Sequence, residues 1–146
     1  MINAIKDPGA RMVNLVHRTV FRLSGGRLGN RGFGMPVVML ETVGRKSGKR
    51  RSTMLTSPLQ DGDQVVLVAS YGGDERNPAW FLNLRDKPDV EVAMKGAPKR
   101  RMRARAASPE ERARLWPIVT ANYKNYAGYQ TKTQREIPLV LLEPEG

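Results

Sequence analysis

The stretch that most narrows what this chain can become is Asp61-Gly62 followed by the apolar run QVVLVAS and then Gly72-Gly73. Asp-Gly is a favoured pair for the tight turn between two antiparallel strands, and a valine-rich run bounded by turn residues is a strong strand signal. A connection this short cannot carry a parallel crossover, which needs about a dozen residues.

The same grammar recurs along the chain. VVMLETV, Val37 to Val43, reads as a strand, Gly44 to Gly48 turns it, and Ser52 to Leu59 continues extended. DVEVAM alternates, KRRMRAR sets Arg101, Arg103 and Arg105 on one strand face, and IPLVLLE reads as a last buried strand. Between these lie two helices. Asn77-Pro78 opens a short one through Trp80, Phe81, Leu82 and Leu84 that ends near Pro88. Ser108-Pro109-Glu110-Glu111 opens another with a capping serine and a glutamate three residues later; Pro117 is a place for it to kink. Near the N-terminus Asp7-Pro8-Gly9 starts an amphipathic basic helix with Met12, Val13, Val16, Val20 and Leu23 on one side. Ser24 to Gly34, with five glycines, reads as a connector.

Hairpins dominate and no strand-helix-strand rhythm repeats. The fold class is therefore α+β: a mostly antiparallel sheet of about six strands, closed into a small barrel, with the N-terminal helix and two further helices. We divide the chain into residues 1–36, helix and connector, and residues 37–146, a cofactor-binding barrel domain. The N-terminal helix has two readings, a cover on one face of the domain or an interfacial membrane helix. The N-terminus does not read as a signal peptide, and no run approaches the ~18 apolar residues of a spanning helix. The expected location is cytoplasmic, with a peripheral place at the inner face of the membrane if that helix binds lipid.

Composition limits the chemistry. The chain has no cysteine and a single histidine, His17, so thiolate nucleophiles and metal centres built on these ligands are excluded. A bound organic cofactor is then the natural carrier of any hard chemistry, with no metal expected. With 25 Lys plus Arg against 14 Asp plus Glu, a charge of +11, the partner is expected to be anionic.

The densest charge is VGRKSGKRRST, Val43 to Thr53, where Arg45, Lys46, Lys49, Arg50 and Arg51 surround Gly44 and Gly48. Glycines let a turn point its N–H groups at an anion, Ser47 and Ser52 add hydroxyl donors, and the cations supply charge-assisted bonds. The spacing is neither a Walker loop nor a Rossmann fingerprint. A solvated basic hairpin explains it equally well. A second feature is NYKNYAGYQ, which repeats Tyr123, Tyr126 and Tyr129 every third residue along a helix or helix exit. These phenols read either as core or as a pocket wall that stacks on a flat substrate and donates a proton. Trp80 and Phe81 read most simply as core, with Trp80 beside a planar ring as the alternative.

TVGRKSGKRR, DGDQVVLVAS, NPAWFLNLRDKPDVEV, ERARLW, YAGYQ and REIPLVLLEP occur in this order between Val37 and Pro144. Together they resemble the deazaflavin-dependent nitroreductase family, small actinobacterial reductases that use coenzyme F420. The resemblance implies a split β-barrel and a deazaflavin whose tail carries phosphate and glutamates. It places tail binding on Arg45, Lys46, Ser47 and Arg51, with Ser52 beside them, and a ring-proximal strand end on Val68, Ala69, Ser70 and Tyr71. It puts Ala79, Trp80 and Asn83 next to the cofactor and Tyr123, Tyr126 and Tyr129 on the substrate side. The implied reaction is hydride transfer to quinones, activated alkenes, unsaturated lactones or nitroaromatics, with Tyr126, Tyr123 and Ser70 as catalytic candidates. The sequence departs from that family's pattern at Met54, commonly proline, and at Tyr71, often smaller or basic; both bear on substrate preference. A flavin mononucleotide-binding barrel is the nearer alternative, and a nucleic-acid module tracking phosphates with KRRMRAR the more distant one. Monomer and homodimer are both expected states.

Overall fold

The computed structural model describes residues 31–32, 35–95 and 97–145. The N-terminal helix and His17 lie outside them, as does most of the glycine-rich connector.

The strands are β1 (Arg31–Gly32), β2 (Met35–Val43), β3 (Arg50–Thr56), β4 (Leu59–Asp61), β5 (Gln64–Val68), β6 (Asp89–Ala93), β7 (Arg100–Ala106) and β8 (Leu139–Pro144). Every pairing is antiparallel. Strands run in the order β3-β2-β6-β7-β8-β5-β4, with β1 added beside β2. The expected six become eight because β1 and β4 are strands of two and three residues, too short for a period-2 pattern to announce.

The sheet curls. Its two end strands, β3 and β4, are consecutive in the chain and separated only by Ser57 and Pro58. Ser57 is fully buried at this corner. Its N–H donates to the Pro36 carbonyl at 3.0 Å and its hydroxyl to that of Val66 at 2.7 Å, joining β2 on one side to β5 on the other. The turn between β4 and β5 is the anticipated one. Asp61 pairs with Gln64, leaving Gly62 and Asp63 as a two-residue loop with Gly62 at φ 59°.

Among the described residues three helices, where two were expected, cover the sheet: α1 (Ala79–Asp86), α2 (Pro109–Asn122) and α3 (Lys124–Thr131). The extra one arises because Tyr123 takes extended angles, φ −137° and ψ 93°, and so divides the tyrosine segment from α2. Pro117 does not interrupt α2. Helix α1 is capped differently from expectation. Pro78 is its N-cap with no side-chain bond, and the Asn77 carboxamide oxygen accepts from Arg135 instead.

Alternation along the strands divides the apolar residues between two cores. Val38, Leu40, Val65, Leu67, Val90, Val92, Met102, Ala104, Val140 and Leu142 bury inside the curl under Trp80, Phe81 and Leu84 of α1. Val66, Val68, Leu139 and Leu141 point the other way, against Leu115, Val119 and Tyr126 of α2 and α3.

Helix α2 begins with the anticipated capping box. Ser108 Oγ accepts from the Glu111 N–H at 3.2 Å, and the Glu111 carboxylate accepts from the Ser108 N–H at 2.9 Å. The same carboxylate takes a two-pronged bond from Arg105 at 2.6 and 2.8 Å. Arg105, and then the Ser108 backbone, hold the Glu111 carboxyl at about 2, below its ordinary 4.5. A depressed carboxyl contributes stability above its unfolded value and loses it as pH falls toward the folded one. Replacing Ser108 by Ala is expected to cost about 1 kcal/mol. Glu111→Gln is expected to flatten the loss of thermal stability between about pH 4.5 and 2; an unchanged acid limb in melting curves would show that this carboxylate is not responsible.

Candidate functional site

The basic turn closes on itself before it can meet a ligand. The Gly44 N–H donates to the Lys49 carbonyl and the Gly48 N–H to the Gly44 carbonyl, both at 2.8 Å. Gly48 is favoured by its backbone angles, and a side chain on Gly44 would displace the Ser47 hydroxyl. Gly48 sits at φ 71°, and a Cβ on Gly44 would stand 2.6 Å from Ser47 Oγ. Ser47 Oγ accepts from the Lys49 N–H at 3.1 Å, which leaves its own proton free to donate.

A buried amide holds this turn from beneath. Asn83, on α1 and 6% exposed, accepts from the Arg45 N–H through Oδ1 at 3.1 Å and donates through Nδ2 to Thr42 Oγ1 at 3.3 Å. Its amide is thus committed to placing the loop. Asn83→Ala leaves the Arg45 N–H and the Thr42 hydroxyl without these partners, which is expected to cost about 1–3 kcal/mol. A thermal midpoint equal to wild type would contradict the clamp.

Above the turn lies a cavity of about 580 Å³ that collects Arg45, Lys46, Ser47, Arg51, Ser52, Ala79, Trp80 and Asn83. Eight candidates drawn from two distant segments therefore share one space. The cations differ in their commitments. Arg50 bonds Glu91 at 2.5 Å and lies 3.9 Å from Glu41. Arg45, Lys46, Lys49 and Arg51 have no carboxylate partner among the described residues. Four cations without a carboxylate partner among the described residues, around a glycine turn whose Ser47 hydroxyl can donate, suit an extended polyanion.

The other basic strand is different. On β7, Arg101 lies 3.7 Å from Glu145, Arg103 3.7 Å from Asp89, and Arg105 2.7 Å from Glu143 as well as against Glu111. That arginine stripe is matched by carboxylates from neighbouring elements, so it does not present the row of free cations that phosphate tracking requires.

A second cavity, of about 320 Å³, is lined by Met35, Thr56, Ser70, Gly72, Asn125, Tyr126 and Tyr129. Strand β3 serves both spaces, with Arg50 to Thr53 on the first and Thr56 on the second. Three residues of strand set these apart by about 10 Å.

The second cavity holds no ionisable group except phenols. Tyr126 is 5% exposed; its hydroxyl donates to Met35 Sδ at 3.4 Å, and its ring meets that of Tyr129 edge to face at 6.1 Å. Burial pushes the Tyr126 phenol above its ordinary 10.0, and Tyr129 and Tyr123 add to this while a hydrogen bond with Thr56 opposes it. The proton therefore stays on the oxygen through the neutral range. The two readings of the tyrosines hold together, since Tyr126 belongs to the outer core and also lines the cavity.

Not every candidate converges. Tyr123 is the joint between α2 and α3 and packs against the outer core. Val68 and Ala69 give their side chains to the two cores, and Tyr71 lies in the turn beyond Ser70; these three and Tyr123 line neither of the two cavities. Trp80 meets Phe81 edge to face at 6.4 Å within the inner core while also lining the first cavity. Thr42, Thr53, Met35, Thr56, Gly72 and Asn125 also line these spaces; Thr42, Thr53, Gly72 and Asn125 lie within quoted stretches whose charged or aromatic residues carry the signal, and Met35 and Thr56 have no such marker.

These features define an α+β protein with a curled antiparallel sheet, a cationic cradle at one hairpin and a neutral phenolic cavity further along the same strand. The family described as F420H(2)-dependent quinone reductase matches residues 14–144. An F420H(2)-dependent quinone reductase of Mycobacterium tuberculosis is 42% identical over 139 residues, covering 92% of this chain and 91% of that protein. Among solved structures, an F420-H2 dependent reductase is similar with a TM-score of 0.64 at 38% identity, covering 74% of this chain and 94% of that one. A domain-swapped dimer is similar with a TM-score of 0.67 at 35% identity, covering 88% of this chain and 96% of that one. The chain belongs to the F420H(2)-dependent quinone reductase family.

Proposed function

We propose that this protein is a split β-barrel reductase that uses reduced coenzyme F420 to reduce quinones, with the tail of the cofactor at the Gly44–Arg51 turn and its ring toward the phenolic cavity. The observation that carries the reading is the set of four cations, without carboxylate partners among the described residues, around a glycine turn whose strand also borders a neutral aromatic pocket. A ligand anionic at one end and flat at the other fits that layout. The reduced deazaflavin supplies a hydride from the carbon that stands where a flavin has its central nitrogen.

In this reading each residue has a limited task. Arg45, Lys46, Lys49 and Arg51 neutralise the tail, and Ser47 and Ser52 donate to it. Asn83 holds the Arg45 backbone in place, and Trp80 and Ala79 form the wall between tail and ring. Tyr126 and Tyr129 border a neutral, planar acceptor. Tyr126 keeps its proton at neutral pH and offers it to the oxygen on which charge develops. Ser70 is the second donor at that cavity. Activated alkenes, unsaturated lactones and nitroaromatics are further electrophiles that such a cavity admits. The similar solved structure that is a domain-swapped dimer supports a homodimer, and an N-terminal helix lying on the inner membrane face would suit a lipid-soluble quinone. Among the described residues no helix is long and apolar enough to cross a membrane.

The test is oxidation of F420H2 by the purified protein with a soluble quinone, followed through the return of deazaflavin fluorescence. Turnover that needs both protein and quinone supports the reading. Turnover with reduced flavin mononucleotide but not with F420H2 overturns it.

A further inference from the structure

Arg135 carries none of the roles given above, yet it makes more side-chain hydrogen bonds around the second cavity than any residue lining it. Its Nε donates to the Asp74 carbonyl at 2.9 Å and its Nη1 to Asn77 Oδ1 at 3.0 Å. Its Nη2 reaches the carbonyls of Ser70 at 2.9 Å and Ala69 at 3.2 Å. One planar fork thereby joins the end of β5, the far side of the Tyr71–Gly73 turn and the residue that leads into α1. Its own carbonyl accepts from Gln130 Nε2 of α3 at 2.7 Å, and Gln130 Oε1 accepts from the Ile137 N–H at 3.0 Å.

The turn needs such a hold. Tyr71 is the single non-glycine residue at positive φ among the described residues, 49°, and Gly72 and Gly73 follow at 65° and 86°. A bulky residue there is strained and persists only where its surroundings over-determine it. Arg135 grips the backbone on both sides of that residue. The turn is also pressed onto the tyrosine helix: a Cβ on Gly73 would stand 2.8 Å from the Tyr129 carbonyl. Moving the turn therefore moves Ser70 and Gly72 relative to Tyr126 and Tyr129, and these four residues line one cavity.

We propose that Arg135 is a positioning residue for the hydride-transfer step, fixing the Ser70–Gly72 wall against the tyrosine helix so that acceptor and cofactor ring meet at reacting distance. The proposal rests on reading the second cavity as the substrate side. Arginine is needed because four acceptors in three segments are met by one rigid fork; a lysine places three donors at a single point. Among the described residues no hydrogen bond of the Arg135 side chain reaches the Gly44–Arg51 turn, so tail binding is expected to be unaffected by its loss.

Arg135→Lys and Arg135→Ala are compared with wild type for thermal midpoint, F420 affinity, kcat and KM with a quinone, all assayed well below the midpoints. We expect F420 affinity near wild type and kcat lowered ~10- to 100-fold in both, the effect of a small misplacement at a reacting centre. Low millimolar guanidinium, but not equal sodium chloride, is expected to restore part of the alanine variant's kcat and none of the lysine variant's. A folded lysine variant with wild-type kcat overturns the proposal, as does a loss of kcat matched by a loss of F420 affinity. Should neither variant fold, Arg135 is a folding determinant and the positioning role is withdrawn. Wild-type protein that binds F420 but oxidises no F420H2 with any quinone refutes the functional reading itself, and this proposal with it.

Discussion

Replacing Arg45 and Lys46 together by alanine is expected to weaken coenzyme F420 binding by about 10- to 100-fold without lowering the thermal midpoint. Both side chains line the cavity above the basic turn, and neither has a carboxylate partner among the described residues. Their removal leaves no buried acid unpaired, so the fold has nothing to lose. Each charge-assisted bond to the ligand contributes about 1.5–3 kcal/mol when its alternative is water, and less where solvent still reaches it. The size of the effect should shrink as salt rises, because screened charges contribute less in both proteins. Arg50→Ala is the internal contrast. That side chain is already committed to Glu91 and Glu41, so its loss should affect affinity less. Equal losses for Arg50 and for the Arg45–Lys46 pair would mean that general charge, not this cradle, attracts the cofactor.

Tyr126→Phe is expected to lower kcat with quinones by about 100-fold while leaving F420 affinity and fold in place, the scale of one well-placed general acid. The ring is kept, so the edge-to-face contact with Tyr129 survives. The hydroxyl's partners are Met35 Sδ at 3.4 Å and Thr56, and losing them is expected to cost about 1 kcal/mol of stability. The sign of the pH dependence follows from burial. The Tyr126 phenol lies above its ordinary 10.0, so the donor stays protonated through neutral and mildly alkaline pH. Activity dependent on it should be flat there and decline only above about pH 10. The same raised value means that the neutral phenol adds no pH-dependent instability until pH rises past the unfolded value. Unchanged turnover in the phenylalanine variant with every quinone tried would remove Tyr126 from the role of proton donor.

The elements most legible beforehand were those whose signals are local. Asp61-Gly62 and QVVLVAS gave a hairpin at the expected place, and Ser108 to Glu111 gave a complete capping box, because turn and cap chemistry is decided within four residues. The alternation in KRRMRAR revealed which face carried arginine, but not that Glu143, Glu145, Asp89 and Glu111 would meet those arginines from three other elements. Ion pairing across strands is set by register, which no local pattern announces. The need to remove edges predicts the curl, but Ser57, which is buried at its corner and bonded to both flanking strands, is a small polar residue with no local signal.

The candidate site divides along the same line. Arg45, Lys46, Ser47 and Arg51 lie in one dense motif and were found there. Asn83 was expected beside a cofactor, and its amide turns out to be occupied in holding the Arg45 backbone and the Thr42 hydroxyl. Val68 and Ala69 were expected near a ring, yet alternation sends one to each core. Arg135 and Gln130 were not singled out at all. Most of their partners are backbone carbonyls and N–H groups, as many as 66 residues away, and a carbonyl has no sequence signature. The one available cue was an Arg-Glu pair directly before a buried strand, a weak sign that a charged side chain has work to do inside.

In the proposed function the basic turn and the phenolic cavity together hold one deazaflavin. The most direct test of this is a fluorescence titration of the purified protein with coenzyme F420, beside flavin mononucleotide and duplex DNA, at low and moderate salt. Saturable, tight binding of F420 that persists at moderate salt, with weak binding of the other two, is the result this account predicts. Salt-sensitive binding of DNA with no preference for F420 would contradict it and make the turn a generic phosphate surface.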